Sequence, residues 1–125
     1  MMIITNVTIR NALEKIVQKL KDTVGDNLLE VSFFGSRKKG TFRPDSDLDV
    51  YILLKNDTFL IRGKIAEILT DVERDDFDYD ISINSTIQSA TIREKNIHIG
   101  SLFIQGLDQE KEILYEQTAE RLCSL

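Results

Sequence analysis

Apolar residues recur at Ile9, Leu13, Ile16, Val17, Leu20 and Val24, a spacing that lays them along one face of a helix. Gly25 follows as a stop signal, so an amphipathic first helix is predicted to end there. Leu28 to Phe34 is a short run rich in Leu, Val and Phe, closed by Gly35, the pattern of a buried strand. From Asp47 the period changes to two: Leu48, Val50, Ile52 and Leu54 alternate with Asp47, Asp49 and Tyr51. That alternation predicts a second strand with an apolar face and a face carrying carboxylates. Between the strands, residues 36–46 hold Gly40 and the only proline, Pro44, which predicts a loop with one helical turn.

Beyond the second strand, Thr58 is placed to cap a helix whose face is Ile61, Ile65, Ile68, Leu69 and Val72. Phe77, Tyr79, Ile81 and Ile83 then alternate with Asp76, Asp78, Asp80 and Ser82, predicting a third strand over 76–83. Ser85 and Gln88 fit a capping box opening a helix towards Glu94. Ile99, Leu102, Phe103 and Leu107 predict helix across 97–107, Glu112 to Tyr115 a short edge strand, and Glu116 to Leu122 a terminal helical turn. The whole predicts an α+β (α/β-like) fold, a small mixed β-sheet flanked by helices, as one domain over residues 1–125.

A chain of 125 residues with 42% hydrophobic side chains can bury roughly two-thirds of its unfolded surface without disulfide or metal staples. Its one cysteine, Cys123, cannot form an internal disulfide, and its one histidine, His98, excludes a histidine-rich zinc site. The N-terminal residues lack a basic signal-peptide region, and no apolar run approaches the roughly 20 residues that span a bilayer. No membrane association is expected, and a reducing cytoplasmic compartment is. A net charge of -5 argues against strong nucleic-acid binding by the surface at large. Locally the picture differs: Arg37, Lys38, Lys39 and Arg43 are followed at once by Asp45, Asp47 and Asp49, as if phosphates and cations meet there.

The pair Asp47 and Asp49 sits at i and i+2 of a strand, so both carboxylates leave the same face and can hold a hard divalent cation. Gly35-Ser36 at the end of the preceding strand supplies the other half. The glycine lets backbone approach a ligand, the serine hydroxyl and following amides donate to phosphate oxygens, and Arg37 adds a charge-assisted bond. Together these groups suit a nucleoside triphosphate bound as its metal complex, and transfer of a nucleotidyl group to an acceptor hydroxyl. A third-strand aspartate would complete the cation site. Asp78 and Asp80 share a face, and alternation does not separate them.

Gly35-Ser36-Arg37, Gly40 and Asp45-Ser46-Asp47-Leu48-Asp49-Val50 resemble the G-S-x10-D-x-D signature of the minimal nucleotidyltransferases, antitoxin type, within the DNA polymerase beta superfamily. The resemblance extends in element order to about Ser85. It implies a polymerase-beta-type nucleotidyltransferase fold in which Gly35 and Ser36 grip the triphosphate and Asp47 and Asp49 bind two magnesium ions. It also implies a third carboxylate on a neighbouring strand. In the family this residue leads directly into apolar strand residues, which points to Asp80, ahead of Ile81 and Ile83.

Only 45 residues follow Asp80, few for a separate acceptor domain. Acceptor surfaces are therefore expected from the C-terminal portion, a second copy in a homo-oligomer, or another protein. The resemblance implies a HEPN-domain toxin as partner and transfer of AMP from ATP to one of its tyrosines. Transfer to a small molecule such as an aminoglycoside, and a binding module without turnover, are the other readings the sequence leaves open.

Overall fold

The computed structural model describes residues 4–35, 38 and 47–117. Helix α1 (Asn6–Val24) starts at Thr5, whose hydroxyl accepts from the Thr8 amide at 3.2 Å, and ends at Gly25 with φ 56°. A single 3-10 turn, Gly25–Asn27, leads into β1 (Leu28–Phe34). Strand β2 (Leu48–Leu54) is followed by α2 (Phe59–Phe77), capped by Thr58 as predicted, and then by β3 (Ile83–Ser89). Two short helices, α3 (Ala90–His98) and α4 (Leu102–Glu110), precede the last described strand, β4 (Glu112–Glu116).

The four strands lie in the order β3-β2-β1-β4. β1 runs antiparallel to both β2 and β4, and β2 runs parallel to β3, so the sheet is mixed and the α+β reading holds. One face carries Leu48, Val50, Ile52 and Leu54 with Val31 and Phe33, packed on Leu13, Ile16 and Leu20 of α1 and Ile65, Leu69 and Val72 of α2. The opposite face carries Tyr51, Leu53 and Leu29 against Ile104 and Leu107 of α4. A bulge in β1 between Leu28 and Glu30 lets Leu28 and Val31 both reach the larger core while Leu29 turns to the smaller one.

Three predicted elements are corrected. The third strand does not span 76–83: α2 continues to Phe77, the chain turns through Asp78 and Tyr79 at φ 48° and 62°, and the strand begins at Ile83. Phe77 lies eight residues after Leu69 and packs in the same core, so it satisfies the helical period and the strand period together. The helix wins because burial of Phe77 completes its apolar face. Ser85 and Gln88 lie inside β3, and the capping serine is Ser89, which accepts from the Ile92 amide at 3.2 Å. The helix predicted over 97–107 is two helices broken at Ile99-Gly100, where Gly100 has φ 75°. The edge strand at 112–115 is present as β4; Glu116 belongs to it, and the rest of the terminal helical turn falls outside the described residues apart from Gln117, which is buried.

Candidate active site

The antiparallel pairing of β1 and β2 sets Phe34 opposite Asp49, which brings the end of β1 beside the start of β2. The parallel pairing of β2 and β3 sets Asn84 beside Asp49. Gly35, Asp49 and Asn84 therefore gather at one end of the sheet, on the face away from the larger core, with Asp47 immediately ahead of β2. Asp47 is exposed and Asp49 half-buried.

Gly35 has φ 88°, a conformation natural to glycine. A Cβ on it would lie 2.1 Å from Oδ2 of Asp49 and 2.9 Å from its Cγ. The backbone of the turn thus lies directly on the carboxylate, and only a residue without a side chain fits. Burial pushes the Asp49 carboxyl above the usual carboxylate range, the neighbouring charge of Asp47 pushes it further, and the amide of Asn84 beside it pulls in the opposite direction. Two carboxylates that repel each other across one short stretch of strand suit a hard cation, which relieves the repulsion.

The structure does not bring Asp80 to this pair. Asp80 is exposed in the turn after α2, its amide donating to the Phe77 carbonyl at 2.8 Å. Among the described residues no three acidic, histidine or cysteine side chains stand close enough to share a metal ion. The expected third carboxylate position on the adjacent strand is held by an amide, because β3 starts later than the alternation suggests. Ser36 and Arg37 lie outside the described residues, as does the rest of the 39–46 loop. The donor set present, two carboxylates and an amide, fits magnesium as a partial shell that triphosphate oxygens and water complete.

Below the carboxylates the same face carries a polar network that the sequence pattern did not reveal. Tyr51, fully buried, donates to Oε1 of Gln88 at 2.7 Å and accepts from Nη1 of Arg93 at 3.3 Å. Arg93 also binds both carboxylate oxygens of Asp108 at 2.8 and 2.6 Å. Lys111 reaches Glu30 at 2.7 Å and Asp108 at 3.2 Å, and Ser32 donates to Glu30 at 2.6 Å. Burial would raise the Asp108 carboxyl, but the bonds from Arg93 and Lys111 outweigh it and hold it low. These links tie α3 and α4 to β1, β2 and β3 under the site. Alternation places Tyr51 on the carboxylate face, as found; its partners Gln88 and Arg93 lie 37 and 42 positions away, beyond any local pattern.

The family model of the nucleotidyltransferase domain matches residues 13–102. A protein of Methanocaldococcus jannaschii named "putative protein adenylyltransferase" is 38% identical over 48 residues, 38% of this chain and 33% of that protein. The chain thus spans a third of the length of the curated relative it matches. A toxin–antitoxin solved with AMP-PNP superposes with a TM-score of 0.53 at 17% identity, covering 86% of this chain and 76% of that one. A mutant of the toxin–antitoxin MntA-HpeT gives the same TM-score at 15% identity with the same coverage. At these identities the likeness is one of fold. Among the described residues no helix is long and apolar enough to cross a membrane.

Proposed function

The chain belongs to the nucleotidyltransferase domain family, and on that premise we propose that it moves AMP from ATP to a tyrosine hydroxyl of a HEPN-type toxin partner, in the cytoplasm, with magnesium. Enzymes of this family generally use a divalent metal. The observation that carries the reading is the packing of Gly35 on Asp49, with Asp47 just ahead of the strand and near enough for its charge to act on Asp49. It supports a turn that can deliver a triphosphate directly to a pair of carboxylates.

In this reading Asp47 and Asp49 would hold the magnesium, two ions with nucleotide bound, Gly35 would admit the phosphates, and Ser36 and Arg37 would bind them. Bound magnesium would neutralise phosphate charge and stabilise the attacking and leaving oxygens. The phenolic oxygen forms a bond to the α-phosphorus, the bond from that phosphorus to the α–β bridging oxygen breaks, pyrophosphate leaves, and the phenolic proton passes to water. The names of the relative and of the structural neighbours, a protein adenylyltransferase and toxin–antitoxin pairs, favour a protein acceptor over a small molecule.

The test is intact-mass spectrometry of the product of the neighbouring gene after incubation with ATP, magnesium and this protein. Addition of one AMP, mapped to a tyrosine and absent with Asp47→Asn, is the expected result. A partner left unmodified yet inhibited equally by wild type and Asp47→Asn would leave a binding module in place of the transferase.

A further inference from the structure

We propose that Asn84 is a positioning residue of the metal site, holding the Asp49 carboxylate so that it faces the same cation as Asp47. The inference rests on the metal-site reading above. Asp49 has neighbours on three sides: Asp47 two residues back, just ahead of β2, Gly35 pressed against its carboxylate from the turn after β1, and Asn84 in register on β3. Asp47 repels it and Gly35 has no side chain to hold it. Asn84 alone among these sets a neutral amide in register beside it, and its influence on the carboxyl is the one favourable to the charged form. A half-buried carboxylate beside a like charge has reason to rotate away, and an amide in register on the next strand is placed to oppose that rotation.

The choice of amide over acid also sets the charge of the site. With Asn84 in register, the sheet presents two carboxylates where an aspartate at that position would make three. Two carboxylates with water give a weak site for a free ion, and triphosphate oxygens add the missing ligands. The site is therefore built to receive its metal together with the nucleotide. Asn84 is exposed, so its replacement leaves the core intact.

The test is manganese binding to the full chain, followed by electron paramagnetic resonance with and without ATP, for wild type, Asn84→Ala, Asn84→Asp and Asp49→Asn. Wild type should bind manganese weakly alone and much more tightly with ATP, and Asp49→Asn should lose both. Asn84→Ala should lose about tenfold in affinity for manganese with ATP, the scale of a lost outer-shell bond. Asn84→Asp should bind free manganese more tightly than wild type and depend less on ATP. If Asp49→Asn loses binding while Asn84→Ala matches wild type, the role of Asn84 is overturned and the metal site stands. If wild type and Asp49→Asn bind manganese alike, the metal-site reading falls and the role of Asn84 with it.

Discussion

Gly35 and Asp49 occupy a space that admits no further atom: a Cβ on the glycine would sit 2.1 Å from one carboxylate oxygen and 3.1 Å from the aspartate's own Cβ. The turn that closes β1 and the carboxylate that opens β2 are thus one unit, and the pairing of Phe34 with Asp49 builds it. Such contact is what a triphosphate-binding turn needs if its phosphates are to share a cation with the carboxylate.

Gly35→Ala is expected to spare the fold and ruin the site. The positive φ costs about 1–3 kcal/mol for a residue with a side chain, while the clash is relieved when the Asp49 side chain swings away. Thermal unfolding should therefore show a modest loss, and calorimetry should show magnesium-dependent ATP binding weakened by more than about tenfold. Unchanged ATP binding in a folded variant would contradict the close packing.

Asp49 makes the protein pay in stability for its site. Its carboxyl is raised in the folded state relative to an unfolded value of about 3.9, so the fold prefers the protonated form. That preference is fully expressed below the unfolded value and is lost as pH rises through the higher folded value. Asp49→Asn should therefore be more stable than wild type at pH about 7, by a margin that shrinks towards pH about 4. Urea midpoints of both proteins across that range check it; a margin that grows on acidification would mean the carboxylate stabilises the fold when charged.

The buried ion pair under the site carries a different expectation. Lys111 and Glu30 each expose 8% of their side chains, and Lys111→Met leaves the Glu30 carboxylate with Ser32 as its remaining donor among the described residues. A loss of about 3 kcal/mol is expected in urea unfolding, and adding Glu30→Gln should recover much of it. A single variant within about 0.5 kcal/mol of wild type would show that the pair does not hold α4 to the sheet.

Asp80 separates what was legible in the sequence from what was not. The first helix, the strands on either side of the loop, the Thr58-capped helix and the edge strand each had one dominant period or cap, and the structure has them where the pattern puts them. Gly35, Asp47 and Asp49 could be singled out because strand alternation and the glycine turn act over a few residues. The segment 76–83 satisfies both periods at once, and only the burial of Phe77 in the larger core decides between them. Asn84 was illegible for a related reason: its place beside Asp49 is a matter of inter-strand register, which appears only when β3 is known to begin at Ile83. The Tyr51 network needs tertiary contacts throughout.

Asp80→Asn is accordingly expected to leave manganese and ATP binding unchanged, since Asp80 stands exposed in a turn. Spectroscopic titration beside Asp47→Asn checks this; a loss comparable to that variant would mean the turn closes onto the site when nucleotide binds.

The claim that Asp47 and Asp49 form the catalytic metal site is tested most directly by transfer itself. Labelled AMP incorporation into the partner should be measured with magnesium for wild type, Asp47→Asn and Asp49→Asn, each shown to be folded by circular dichroism. The account predicts that either substitution lowers the rate by more than about 100-fold, beyond the usual effect of losing an outer-shell contact. Transfer by both folded variants within a few-fold of wild type would contradict it.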